Sequence, residues 1–259
     1  MPGCPAPPTE TDRFRTAAAY YEQGRAPYAP ALIRRVVEAT GLGADHRVLD
    51  LGCGPGPLAR AFAPFALEVV AIDPSAEMLA EARPLAADLP NIRFLAGSSR
   101  ELGPALGDFR LVAMGRSFHW MDRAETLTRL DRMIEPGGAV ALFDDNAPAV
   151  PANAWYPTWR AIRERYEAEG QRHGRGPGWV RHEAFLLDSP FSRIERFGVV
   201  ERRALDIDTL VKRTLSMSST SPSHLGERTP AMVADLRAAL AEVREEVVET
   251  SAMVAWRPH

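Results

Sequence analysis

The sequence predicts an α/β fold: a doubly wound, mostly parallel sheet of seven strands, with helices on both faces and an inserted helical cap. Three observations predict it. Five short apolar runs alternate with helix-length segments between residues 47 and 143. The first of these runs ends in a glycine-rich turn, Gly52-Cys53-Gly54-Pro55-Gly56. After Asn146 the chain turns aromatic and arginine-rich before two further strand-like runs close it. Strands separated by helix-length segments imply right-handed crossovers and a parallel sheet. Near-continuous apolar strands fit a sheet covered on both faces.

Residues 1–12 (MPGCPAPPTETD) are proline-rich, have no apolar period and read as a disordered tail. A short helix is expected over 14–21, and Pro27 and Pro30 force an irregular link after it. Leu32, Ile33, Val36 and Val37 give 31–39 a helical face, which Gly41 and Gly43 end. The first strand is 47–51 (RVLDL). Pro57 then opens a helix over 57–65, in a first turn that needs no amide hydrogen. The second strand is 68–72 (EVVAI), and Ser75 caps a helix with Met78, Leu79 and Ala82 on one side. Strands follow at 92–96, 111–114 and 139–143, the last preceded by a helix at 123–133 and a tight turn, EPGG, at 135–138. Beyond Pro148 and Pro151 the reading gives a helix at 155–168, a glycine-rich loop at 170–178 and a sixth strand at 199–205. A helix at 209–215, a serine-rich loop at 216–224, an amphipathic helix at 230–243 and a closing strand at 247–256 complete it. The division is a tail (1–12), a core with an N-terminal entrance segment (13–146), a substrate cap insertion (147–195), and the rest of the core with further cap elements (196–259).

With 259 residues, 46% hydrophobic and 25% charged, the chain can bury a large core without disulfides or metals, and collagenous, coiled-coil and wholly disordered classes are excluded. Thirty-one basic against 34 acidic residues give a net charge of −3, without the basic excess of a nucleic-acid binder. Every basic residue except Lys212 is arginine, which fits coding from GC-rich DNA. Cys4 and Cys53 stand in unrelated contexts and form neither a disulfide framework nor a zinc knuckle, so no metal is expected. The N-terminal stretch has no apolar h-region and no run approaches the ~20 residues of a membrane span. The expectation is a cytoplasmic monomer or homodimer with a small-molecule partner and neither a nucleic-acid nor a membrane partner.

The glycine turn carries the chemistry. Glycines at a strand end allow positive φ and close backbone approach to a ligand, and ligands of open parallel sheets bind there. Two ligand classes fit. Gly54-x-Gly56-x-x-Ala59 matches the GxGxxA form of dinucleotide sites, a weak signal alone. Asp50 through Gly56 also reads DxGxGxG, the turn that binds S-adenosylmethionine. An acid at the strand end suits a ligand with an ammonium group and repels a pyrophosphate, so Asp50 favours S-adenosylmethionine. Asp73, at the end of the second strand, can accept both ribose hydroxyls; the plainer reading makes it a helix cap beside Ser75.

These residues resemble the class I S-adenosylmethionine-dependent methyltransferases, in their small-molecule branch. The resemblance rests on VLDLGCGPG (48–56), AIDPSAEML (71–79), IRFLAGSSREL (92–102), LVAMGRSFHWMD (111–122) and IEPGGAVALFD (134–144), and the closing ETSAMVAW suits the family's antiparallel strand. It implies a Rossmann-like sheet and roles for matching positions. Asp50, Gly52 and Gly54 would hold the methionine end of the cofactor, and Asp73 the ribose, with Pro74 and Met78 near the adenine. Ser98 and Ser99 stand where the family often writes Asp-Ala, so the acid that bonds the adenine amino group is missing, with Glu101 a substitute three residues on. Gly115 and Arg116 would border the reactive side. The stretch YYEQGRAPY (20–28) is similar to the family's YYxxxRPxYP segment, which implies that Tyr20 and Arg25 reach the methionine carboxylate.

In methyl transfer the cofactor supplies the activated carbon, and the protein binds, orients and excludes water. His119, after the fourth strand, is the candidate base, against a plainer packing role. Trp120, Trp155, Trp159 and Trp179 are the candidate substrate walls, although aromatic side chains also build a cap's own core. His173 and His182, with Arg172, Arg175 and Arg181, would greet an acidic acceptor or form a solvated loop. Oxygen is the expected acceptor atom, in a hydroxyl or a carboxylate; GRSFHW, in place of the NPPY of amino-group methylation, argues against that chemistry. Two other readings stand beside this one: a methyltransferase-like protein that binds S-adenosylmethionine without transferring methyl (a cyclase or binding protein), and a nicotinamide-dependent oxidoreductase.

Overall fold

The structure is a computed structural model and describes residues 16–167 and 179–258. The tail at 1–12 and the glycine-rich loop at 170–178, with Arg172, His173 and Arg175, lie outside the described residues. The elements run α1 (Ala18–Gly24), α2 (Pro30–Thr40), β1 (Arg47–Leu51), α3 (Pro57–Phe62), β2 (Glu68–Asp73), α4 (Ala76–Leu85), β3 (Ile92–Ala96), β4 (Phe109–Gly115) and α5 (Arg123–Leu130). The chain continues through β5 (Ile134–Asn146), α6 (Tyr156–Tyr166), α7 (His182–Leu187), β6 (Arg193–Ala204), α8 (Ile207–Leu215), α9 (Pro222–Leu225), α10 (Thr229–Leu240) and β7 (Glu245–Trp256).

The seven strands form one sheet in the order β3-β2-β1-β4-β5-β7-β6. β1 to β5 are parallel to their neighbours, and β7 inserts antiparallel between β5 and β6. The strand order reverses between β1 and β4, so a crevice opens at their C-terminal ends. This is the fold class the alternation predicts.

Two apolar layers cover the sheet. On one face Leu32, Val36, Leu58 and Phe62 pack over Val48, Val69 and Val254. On the other, Leu127, Leu130, Leu186 and Phe191 pack over Leu49, Val70, Val112 and Val140. Phe143 of β5 anchors the first layer with edge-on contacts to Tyr28 (5.4 Å) and Phe62 (5.8 Å). A third cluster lies apart from the sheet and forms the cap: Trp155, Trp159 and Ile162 from around α6 against Leu210, Leu215, Met232 and Leu236 from α8 and α10. The cap is thus closed by two separate stretches of chain. α7 does not join it; Leu186 packs with the second sheet layer beside α5.

Two strand starts differ most from the sequence reading. β5 begins at Ile134, opposite Phe109, and a register shift lets Glu135 to Gly138 bulge before pairing resumes at Ala139 opposite Leu111. The expected tight turn is therefore a bulge within a longer strand. β6 starts at Arg193 rather than 199, and none of its residues is fully buried. It is an edge strand whose first half, RIERFG, alternates charge with partly covered apolar groups, so it lacks the apolar run that marks the central strands.

Phe143→Ala removes the ring shared by Tyr28, Phe62 and the sheet. It is expected to cost about 3–5 kcal/mol in urea unfolding; a loss under about 1 kcal/mol would show that this layer tolerates the cavity.

Candidate functional site

The crevice is a cavity of about 1310 Å³ bordered by the ends of β1, β2, β4 and β5, the N-terminal segment and the cap. Single-ligand pockets span roughly 300–1,000 Å³, so this one has room for two molecules side by side.

Its floor is the glycine turn. Gly52, Gly54 and Gly56 all have positive φ (70°, 55° and 80°), a region that strains other residues. Gly52 also has no space for a side chain, because a Cβ there would lie 2.6 Å from that of Ser117. Ser117 in turn donates to the Leu51 carbonyl at 2.8 Å and ties the end of β4 to β1.

The amides of the turn are already in use. Those of Gly52 and Cys53 donate to the Ile72 carbonyl, that of Gly56 to Cys53, and that of Arg60 to Gly56. The Gly54 amide donates to Asp73 Oδ2 at 2.8 Å and the Ala59 amide to Asp50 Oδ2 at 2.9 Å. Pro55 and Pro57 have no amide hydrogen. A pyrophosphate requires a row of free amides at a helix start, and this turn does not offer one. The geometry therefore goes against the nicotinamide reading.

The two acids of the turn play different parts. Asp73 lines the cavity at 8% exposure, with Oδ1 accepting from the Ser75 amide at 2.9 Å and Oδ2 from Gly54. Each oxygen keeps a lone pair for a ligand hydroxyl. Ser75, not Asp73, is the helix cap, with Met78 N–H on its hydroxyl. Asp50 is 1% exposed and is not part of the cavity wall. The expectation that it meets an ammonium group is corrected: its carboxylate sits beneath the turn and holds the first turn of α3 through Ala59. Burial pushes the Asp50 carboxyl up to about 7, against the pull of the Ala59 hydrogen bond. Burial also raises Asp73, opposed by the amides of Ser75 and Gly54.

Most of the remaining expected residues meet in this cavity. Arg25, Pro74, Met78, Ser98, Ser99, Gly115, Arg116, His119, Trp120 and Trp159 line it together with Gly52, Gly54 and Asp73. Three do not. Tyr20 packs against the cap core, and its neighbour Tyr21 faces the cavity instead. Trp155 is buried in the cap core, where it meets Tyr156 and Trp159 edge-on. Trp179 lies over Arg123, 4.7 Å from its ring centroid, and beside His182, away from the cavity. In both cases an aromatic side chain supplies cap or surface packing, and the sequence alone does not tell that from a substrate wall. Glu101 does not replace the missing acid near the adenine position, since its carboxylate accepts from the Ser98 amide at 2.6 Å in a capping box.

Other cavity residues were not legible in advance. Asp144 and Asp145 extend β5 past the expected end of the strand, and Arg213 of α8 pairs with Glu246 of β7. Arg163 comes from the cap. Glu246 precedes the expected closing strand, and only the fold shows it 3% exposed on the inward face of β7, where an acid needs a buried cation. Burial alone would raise Asp145, but Arg116 and Arg25 outweigh it and hold its carboxyl below the usual range. Among the described residues no group of His, Cys, Asp and Glu could hold a metal ion, and no helix is long and apolar enough to cross a membrane.

A family profile described as a methyltransferase domain matches residues 48–138. The chain is 30% identical over 221 residues to an uncharacterized methyltransferase of Mycobacterium tuberculosis, covering 83% of this chain and 82% of the relative. It is 37% identical over 183 residues to the malonyl-[acyl-carrier protein] O-methyltransferase of Enterobacter lignolyticus, covering 70% and 66% respectively. A methyltransferase from Thiobacillus denitrificans, solved with S-adenosyl-L-homocysteine, superimposes with a TM-score of 0.55 at 18% identity, over 94% of this chain and 97% of its own.

The raised Asp50 carboxyl has a pH signature. Between about 4 and 7 the folded chain keeps a proton on Asp50 that the unfolded chain has lost, so this group's contribution falls as pH rises through that window. Asp50→Asn keeps an acceptor for Ala59 without the charge. The melting midpoint of this variant is expected to gain on wild type from pH 5 to pH 8, with about 2–4 °C for each kcal/mol relieved. A constant difference across that range would contradict the assignment.

Proposed function

The chain belongs to the class I S-adenosylmethionine-dependent methyltransferases, and from that premise we propose that it methylates an oxygen of a small-molecule acceptor, a hydroxyl or a carboxylate. The observation that carries the proposal is a cavity large enough for two ligands, with the glycine turn and Asp73 on one side and Tyr156, Trp159, Arg163 and Ser219 of the cap on the other. The O-methyltransferase relative supports oxygen as the acceptor atom.

The residues present fit S-adenosylmethionine. The positive-φ glycines bring the backbone close, Asp73 keeps two lone pairs for ribose hydroxyls, and Arg25 brings a guanidinium whose buried Nε has no partner. We assign Asp73 to the ribose, Pro74 and Met78 to the adenine, Ser98 and Ser99 to its rim, and Arg25 to the methionine carboxylate. The cofactor, when bound, supplies a methyl group already activated on a sulfonium. What is left for the protein is orientation, exclusion of water and, for a hydroxyl acceptor, removal of one proton.

His119 is assigned that proton. It follows β4 in a short helical turn (Phe118–Trp120), lines the cavity and lies against Trp120 with ring centroids 5.0 Å apart. A carboxylate acceptor arrives ionised and needs no base, so His119 discriminates between the two oxygen chemistries. Trp159, held by its indole N–H on Thr214 at 2.8 Å, presents a fixed wall to the acceptor.

Two outcomes are expected. Asp73→Ala weakens S-adenosylhomocysteine binding by about 1.5–3 kcal/mol in calorimetry; unchanged affinity in the folded variant would make Asp73 a turn clip and nothing more. His119→Gln, assayed by S-adenosylhomocysteine release with the acceptor once found, lowers kcat about 100-fold or more and leaves the KM for the cofactor unchanged. An unaltered kcat would remove His119 from the chemistry and favour a carboxylate acceptor.

A further inference from the structure

Arg25 differs from the other arginines of the cavity. Among the described residues its guanidinium forms no ion pair, its Nε is buried without a hydrogen-bond partner, and it lies over the ring of Tyr21, 5.3 Å from the centroid. The residues on either side of it are firmly held. The Gly24 carbonyl accepts from Arg213 Nε at 3.0 Å, and the Ala26 carbonyl accepts from Arg116 Nη2 at 2.9 Å. Each of these two arginines is fixed by a carboxylate from a different strand. Arg213 makes paired bonds of 2.6 and 2.8 Å to Glu246 at the start of β7, and Arg116 pairs with Asp145 near the end of β5.

The backbone has been shaped around both contacts. A Cβ at Gly24 would lie 2.5 Å from the backbone nitrogen of Arg213, so only glycine lets the end of α1 rest on α8. Arg116 has the one positive φ among the described residues other than glycine, 56°. That conformation is uncommon for such a residue and persists only where the surroundings enforce it. Here it brings the guanidinium over the ring of Tyr28, at 4.7 Å, and onto Ala26.

We propose that Arg116 and Arg213 are positioning residues that act through Arg25. Their forks are spent on Asp145, Glu246 and the two flanking carbonyls, and what they fix is the aim of Arg25 at the cofactor's amino-acid carboxylate. The proposal rests on the assignment of that carboxylate to Arg25. The physical reason is a surplus charge. Arg25 stands near two other guanidinium groups, both already paired; burial, Arg116 and Arg213 disfavour its charge, and Tyr21 and Asp145, the latter already paired with Arg116, oppose them only in part. Left loose, it would swing toward water. Anchoring the residues before and after it settles the ordering cost in the free protein, so an arriving carboxylate meets a cation already in place.

The test compares two ligands by calorimetry on the full chain: S-adenosylhomocysteine, and 5′-methylthioadenosine, which keeps the nucleoside and sulfur but lacks the amino-acid carboxylate. Arg213→Gln and Arg116→Gln are each expected to weaken the first about tenfold and the second less than about twofold. In the Arg25→Gln background, adding Arg213→Gln is expected to cost little more, since the two act as a unit. If Arg213→Gln does not fold, Glu246→Gln leaves the arginine in place, loosens its anchor and carries the same ligand comparison. Equal losses for both ligands, or full additivity with Arg25→Gln, overturn the positioning role. Wild-type protein that binds both ligands equally overturns the carboxylate assignment of Arg25, and wild-type protein that binds neither overturns the cofactor site itself.

Discussion

Asp73 joins the two strands on which the site depends. Its Oδ2 receives the Gly54 amide and its Oδ1 the Ser75 amide, so one carboxylate clips the turn after β1 to the start of α4. Without that clip the turn, which runs through three left-handed glycines, would have many other conformations to choose from. The same carboxylate borders the cavity. The group that shapes the turn is therefore also placed to meet what lies in it.

A second principle organises the rest of the cavity: charges are neutralised in place and the pairs hold backbone. Arg116 with Asp145 and Arg213 with Glu246 are largely buried pairs. Such pairs roughly break even in stability, because desolvation offsets attraction. Their value here is geometric, since each holds a carbonyl of the N-terminal segment over the crevice. Asp50 also holds backbone: burial keeps its carboxyl protonated up to about 7, and its Oδ2 fixes the first turn of α3 through the Ala59 amide.

The sheet was legible in the sequence because its central strands are apolar on both faces and end in recognisable turns. RVLDL and EVVAI carry β1 and β2 without ambiguity, and EVVAI puts Asp73 at the end of the second strand. β6 was only half legible, since an edge strand carries no apolar run. The site divided the same way. Backbone-defined positions, such as Gly52, Gly54 and Met78, follow from the motif and lie in the cavity. Positions that depend on which way a side chain points did not follow. Tyr20 and Tyr21 differ by one residue and face opposite ways, Asp50 turns under the loop, and Trp155 and Trp159 share a helix start but only one reaches the cavity. Glu246 and Arg213 were invisible because their partnership spans 33 residues and two elements.

Ribose on Asp73 and amino-acid carboxylate on Arg25 is the proposed pose of S-adenosylmethionine in this crevice. A crystal structure with S-adenosylhomocysteine tests it most directly. Both ribose hydroxyls are expected within about 3 Å of the Asp73 oxygens, and the amino-acid carboxylate on the Arg25 guanidinium. A ligand whose ribose avoids Asp73, or whose carboxylate lies on Arg116 or Arg213 with Arg25 turned to solvent, would contradict it.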